Sequence, residues 1–119
     1  MIVLDTDVLI EIFDRQSEKG DEALGRILES GDSISITAIN LHELMYGLQK
    51  YAKPVGEVLQ LPVLNYPKED ARLSARLELM AEKVGAPVRR TDAMIAATTI
   101  NNEATLYTLN LRHFKPLKS

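Results

Sequence analysis

Asp5, Thr6 and Asp7 stand together at the end of the apolar run Ile2, Val3, Leu4, and two further acids, Glu43 and Asp92, lie far along the chain. Side chains that follow a buried strand emerge at the rim of a sheet, where a ligand can reach them. Three carboxylates drawn from separated segments can bind a hard cation such as magnesium or manganese, which prefers oxygen ligands and retains waters. Such an ion polarises a phosphate and lowers the pKa of a bound water, so a hydrolytic nucleophile arises without His, Cys or Ser.

Each acid also has an ordinary structural account. Asp7 can cap a helix and Asp5 can serve a turn. Asp92 follows Thr91, a common helix opening in which the helix dipole favours the anion. Glu43 lies roughly 200° round its helix from Leu41, opposite the main apolar stripe, yet Ile39 and Tyr46 share its side. It is therefore either solvated or turned towards a partly covered site. His42 and His113 have no spaced partner and receive no catalytic role. Arg89, Arg90, Arg112 and Lys115 come near the same rim and are able to hold phosphates locally.

The elements that would position these groups alternate. Residues 2–4 are expected to form a central strand buried on both faces, followed by a helix over 7–13 capped by Asp7. A second helix begins near Gly20 and Asp21, carries Ala23, Leu24, Ile27 and Leu28 at helical spacing, and stops at Gly31. Residues 33–36 alternate as a strand, and Thr37 or Asn40 caps a helix with Leu41, Leu44, Met45 and Leu48 on one stripe. Pro54 opens a short helical piece to Leu59, and residues 62–66 form a brief strand. Leu73, Leu77, Met80 and Val84 mark a long helix from Pro67 to Gly85. Thr91 is expected to cap a last helix to about Asn102, before a strand over 105–109. Short strands alternating with helices imply an α/β fold with a mostly parallel sheet, because parallel neighbours need crossover connections. Ligands then sit at the carboxyl ends of strands, beside Asp5, Thr37, Asn65 and Asn110.

The composition is that of one ordinary globular domain spanning residues 1–119, with 45% hydrophobic and 26% charged residues. With 14 basic against 17 acidic residues the net charge is -3, so any contact with a polyanion has to be local. The lack of cysteine excludes disulfides and thiolate chemistry. MIVLDTDVLIEIFD has no basic leader and sets acids inside its apolar run, which argues against a signal peptide or membrane span and for the cytoplasm.

Taken together, LDTDVLIE, ITAINLHELMYGL and TDAMIAATTINNEATLYTLNLRHF resemble the three signature regions of PIN domains, in order and over nearly the whole chain. The chain is similar in particular to the VapC-type toxins of toxin-antitoxin systems. The resemblance implies a three-layer domain, a central sheet flanked by helices, and a magnesium-dependent endoribonuclease in which manganese can substitute. It assigns Asp5, Glu43 and Asp92 as metal-binding and catalytic acids, with Thr6 and Asn110 as auxiliaries. Asn110 falls where many members carry a fourth acid; it offers a carbonyl oxygen or a positioned hydrogen bond but cannot act as a base. RNA as substrate, a cognate antitoxin and a homodimer are the implied partners. Many members continue beyond the HF pair into another strand, whereas this sequence ends at Lys118 and Ser119. Asp5 and Asp7 also resemble the acid pair of haloacid-dehalogenase-type phosphatases, but Val8 and Leu9 replace the usual continuation and there is no room for a cap domain. A PIN-like fold is equally able to serve as a binding module without catalysis, or as a housekeeping RNA-processing nuclease.

Overall fold

The computed structural model describes residues 1–117; Lys118 and Ser119, on which the expectation of a missing terminal strand partly rests, lie outside the described residues. The strands are β1 (Ile2–Leu4), β2 (Ile34–Thr37), β3 (Val63–Leu64) and β4 (Thr105–Tyr107). They pair in the order β3-β2-β1-β4, every pair parallel. The helices are α1 (Thr6–Leu9), α2 (Glu18–Ser30), α3 (Ala38–Lys50), α4 (Lys68–Lys83), α5 (Arg90–Asn101) and α6 (Leu111–Phe114). The expected α/β architecture is therefore present, with helices making every crossover between successive strands.

β1 sits in the middle because Ile2, Val3 and Leu4 are all buried, so both of its faces are covered. Ile2, Leu4 and Ile36 pack with Leu9, Ile27 and Leu44 in the larger core. A second cluster joins Leu77 of α4 to Ala93, Ala96 and Ala97 of α5 and to Leu117. The small side chains of α5 let its backbone approach α4 and Leu117 closely, which seats the helix that carries Asp92 in its first turn. α4 and α5 are also tied by Asp70, which is buried and accepts hydrogen bonds from Thr98 Oγ1 at 2.8 Å and Asn101 Nδ2 at 2.7 Å.

Several boundaries differ from the sequence expectation. The helix expected over 7–13 starts earlier and is capped by Asp5, whose Oδ1 accepts from Thr6 N at 2.8 Å; Asp7 lies inside the helix and has other partners. Its continuation, Ile10–Arg15, is a π-helical stretch, a wider turn that a 3.6-residue pattern does not reveal. Helix α2 is capped by Ser17 rather than starting at Gly20. Thr37 caps α3 while Asn40 returns the bond to the Thr37 backbone, a reciprocal box that satisfies two otherwise unpaired groups. The piece opened by Pro54 is only the 3-10 turn Val58–Gln60. Helix α5 begins at Arg90 with Arg89 at its cap position, so Thr91 is an interior residue and not the cap.

Gly20 marks where α2 meets the π-helical segment: a Cβ there would overlap the carbonyl of Glu11, whereas Gly25 faces open space. Gly20→Ala should therefore destabilise the fold by about 1–3 kcal/mol through overpacking. Gly25→Ala, which removes helix-interior glycine without a clash, should leave stability unchanged or raise it by up to about 1 kcal/mol. Urea denaturation of both variants checks this, and equal stabilities would contradict the close approach at Gly20.

Candidate functional site

The parallel register brings the site together. Leu4 pairs with Tyr107 across β1 and β4, so the next residues, Asp5 and Thr108, leave the sheet side by side. The backbone N–H of Asp5 still donates to the Tyr107 carbonyl at 3.0 Å, which fixes the position of its side chain. Thr108 Oγ1 donates to Asp5 Oδ2 at 2.8 Å, and the other oxygen takes the Thr6 amide. Asp5 is buried nonetheless. Burial pushes its carboxyl up from 3.8 to about 6, the charge of Asp7 adds to the rise, the bonds from Thr108 and Thr6 oppose it, and Asp92 contributes a smaller increase.

Glu43 is half-buried and shares the cleft with Asp5, so the choice left open by periodicity falls on the site side. Its Oε1 accepts from Thr6 Oγ1 at 2.7 Å, and Thr6 Oγ1 in turn accepts from Asn40 Nδ2 at 3.0 Å. Since the Asn40 carbonyl oxygen is held by Thr37, one chain of contacts runs from the cap of α3 through Asn40 and Thr6 to Glu43. Asp7 faces the loop after β4: its Oδ2 accepts from Leu109 N at 3.2 Å and Asn110 Nδ2 at 2.9 Å, while Oδ1 is buried with no hydrogen-bond partner among the described residues.

Asp92 is handled differently. Its side chain is 3% exposed, and both oxygens are taken by Arg89, whose Nε and Nη2 donate at 3.1 Å each from a side chain that is 67% exposed. The hydrogen bonds to Asp92 raise the Arg89 guanidinium above its usual range, with added attraction from Asp92, Glu43 and Asp5. Asp5, Thr6, Asp7, Glu43 and Asn110 line a cleft of about 660 Å³, and Asp92 borders an adjoining notch of about 210 Å³ with Arg112. Arg89 and His113 border both.

The donor set suits a hard divalent cation. Asp5, Glu43 and Asp92 offer carboxylate oxygens, burial raises the Asp5 carboxyl with the charge of Asp7 adding to the rise, and Asp7 Oδ1 has no hydrogen-bond partner among the described residues. Asp5, Glu43 and Asp92 are the residues that would hold such an ion. Among the described residues they do not converge into a ready-made cage, because Arg89 engages Asp92 and Thr6 engages Glu43.

Of the expected residues, Asp5, Thr6, Glu43 and Asn110 share the cleft, whereas Asp92 lies outside its lining, in the adjoining notch and paired with Arg89. Asn110 reaches Asp7, a pairing for which the sequence offered no signal. His42 lines the cleft from an exposed position, and Arg90 turns away to pair with Glu78 on α4. Lys115 begins the terminal 3-10 segment and does not line the acid cleft. Thr108 and Asn40 support the acids although sequence reasoning did not single them out for the site. The one available clue was position, since Thr108 follows β4 as Asp5 follows β1.

A model of the PIN domain matches residues 2–116. The chain belongs to the PIN domain family. This PIN domain is 28% identical to Ribonuclease VapC2 of Rickettsia felis, over 95% of this chain and 89% of that protein. Its fold is similar to a chain of VapBC2 from Rickettsia felis bound to a DNA fragment from their promoter, with TM-score 0.81, 25% identity, and 98% and 93% of the two chains covered. It also resembles a chain of DNA-bound VapBC from Salmonella typhimurium, with TM-score 0.83, 27% identity and coverages of 98% and 91%. A likeness to FitAcB from Neisseria gonorrhoeae, at TM-score 0.80 and 23% identity over 98% and 93% of the chains, is one of fold alone. No described helix is long and apolar enough to cross a membrane.

The raised carboxyl has a consequence for the metal-free protein. Asp5 titrates at about 6 when folded against an ordinary 3.8, so the native state holds the extra proton between those values. The stability linked to it is present below the unfolded value and is lost as pH rises through about 6, by up to about 3 kcal/mol. In EDTA, Asp5→Asn should therefore gain stability relative to the parent on going from about pH 4 to about pH 8. Urea midpoints at the two pH values measure it, and parallel slopes for parent and variant would contradict the assignment.

Proposed function

We propose that this PIN domain is a divalent-metal-dependent endoribonuclease that acts as the toxin of a type II toxin-antitoxin pair. The observation that supports this most is the meeting of Asp5 and Glu43 in one cleft at the carboxyl edge of the sheet, with Asp92 adjoining, on a chain that resembles a VapC ribonuclease. Magnesium, or manganese in its place, would be held by Asp5, Glu43 and Asp92, and when bound it supplies a Lewis acid that polarises a phosphodiester and activates water.

The protein's own part is to orient and to balance charge. Thr108 and the Thr6 amide fix both oxygens of Asp5, and the Asn40–Thr6 pair fixes one oxygen of Glu43. Asn110, anchored on Asp7, lines the cleft from an exposed position and acts as an auxiliary. Arg89 and His113 border the cleft and, with Arg112, the adjoining notch, where RNA phosphates are held despite the negative total charge. Asp5→Asn, Glu43→Gln and Asp92→Asn should each keep the fold and lose RNA cleavage by roughly 100-fold or more, the scale on which one electrostatic partner of a transition state acts. EDTA should abolish cleavage and added magnesium should restore it, whereas His42→Ala should stay active. Cleavage that survives complete chelation, or a triple neutral variant as fast as the parent, would sink the proposal; RNA binding without cleavage would make the protein a binding module.

An antitoxin partner and a homodimer belong to the same proposal, the former supported by the VapBC complexes in which similar chains occur. Leu79, Met80 and Val84 of the α4 end and Tyr46 and Tyr51 at α3 are all at least half exposed, apolar area that this chain leaves uncovered. The protein is expected to sediment as a dimer, Leu79→Lys with Met80→Glu is expected to sediment as a monomer, and co-expression with the neighbouring gene product is expected to yield a complex. A parent protein that stays monomeric at high micromolar concentration would remove the dimer from the proposal.

A further inference from the structure

Asp92 is the acid whose surroundings differ most from the others. Asp5 and Glu43 take neutral donors, an amide and hydroxyls, and remain open to the cleft. Asp92 is buried and takes a full positive charge on both oxygens. A planar fork with two parallel N–H···O bonds is the strongest geometry available between a side-chain cation and a carboxylate.

The two partners are not equally committed. The Asp92 side chain is 3% exposed, whereas two thirds of the Arg89 side chain is already in solvent. Withdrawing an exposed guanidinium costs little, and leaving a buried carboxylate without a cation costs a great deal. Arg89 can therefore leave only if another cation takes its place. Arg89 and Asp92 themselves border the notch with Arg112 and His113, so a guanidinium released from Asp92 stays within a lining that can meet phosphate.

We propose that Arg89, forked onto Asp92 at the partition between the acid cleft and the basic notch, is the resident cation of the metal-free centre, displaced when a divalent ion enters and then available to an RNA phosphate. It is a positioning residue, and the inference rests on the metal-centre function proposed above. Before the ion arrives, Arg89 holds Asp92 in place and neutralises it. Afterwards the same charge faces the polyanion, so loading of the ion and recognition of RNA are coupled through one side chain.

Manganese alone, titrated into RNA-free protein by calorimetry or electron paramagnetic resonance, tests the competition. Arg89→Gln should bind manganese roughly tenfold more tightly than the parent, since one charge-assisted contact no longer has to be broken. Arg89→Lys, which keeps the charge but cannot fork, should fall between them. In the parent, the Arg89 Nε–H nuclear magnetic resonance signal, identified by its absence in Arg89→Gln, should be protected from exchange without metal and lose that protection at saturating magnesium. Unchanged or weaker manganese binding in Arg89→Gln, or a signal that remains protected at saturating magnesium, overturns the inference while leaving the metal centre intact. No manganese binding to the parent or to any variant at millimolar concentration overturns both.

Discussion

Burial of carboxylates at the carboxyl edge of the sheet, with the charge of Asp7 set beside the buried Asp5, is the constraint on which the rest of the site depends. Asp5, Asp7, Glu43 and Asp92 approach one another at the carboxyl ends of parallel strands, where burial removes the water that would otherwise screen them. Each of the four acids is accordingly met by a donor. The Thr6 amide and Thr108 hydroxyl serve Asp5, the Leu109 amide and Asn110 serve Asp7, the Thr6 hydroxyl serves Glu43, and the Arg89 fork serves Asp92. The supply falls short at Asp7 Oδ1, and burial raises the carboxyl of Asp5 although both of its oxygens have donors; both features suit the cleft to a cation.

Asp70 shows that burial alone does not make an acid functional. It is as buried as Asp92, yet both of its oxygens receive neutral donors, Thr98 and Asn101, and it borders none of the cavities near the acids. Its role is to join α4 to α5. That joint matters to the site indirectly, because α5 carries Asp92 in its first turn and is seated through Ala93, Ala96 and Ala97. Larger side chains on that face would hold α5 away from its neighbours and move Asp92 with it.

Geometry at the rim depends on backbone registration more than on side-chain choice. Asp5 is held by the last rung of the β1–β4 ladder, and Glu43 is held through a cap that closes α3 on β2. Sheet hydrogen bonds and caps are short and directional, so they place a Cα far more narrowly than apolar contacts do. Thr6, at the opening of α1, and Asn40, in the first turn of α3, thereby become the scaffold that holds Glu43, an acid distant in sequence from Thr6.

The amino-acid sequence by itself determined the alternation of strands and helices, the buried β1, and the placing of Asp5 at a strand end, because those are local consequences of apolar periodicity and of turn and cap chemistry. It also carried the three family motifs, and with them the choice of Asp5, Glu43 and Asp92 among seventeen acids. Boundaries were legible to within a few residues, and the misplaced caps at Asp7 and Thr91 arose because several polar residues in a row can each close a helix and only packing selects one. Tertiary structure alone decided which way Glu43 faces, since a helix covered on two sides has no single polar face for periodicity to reveal. It alone decided that Thr108 meets Asp5, that Asn110 meets Asp7 and that Asp70 is a structural joint, because those contacts depend on strand order and register across long stretches of chain. The Arg89–Asp92 fork is closer in sequence, three residues apart, but an exposed arginine at a helix opening can point many ways. The buried carboxylate, left without other donors, selects this one.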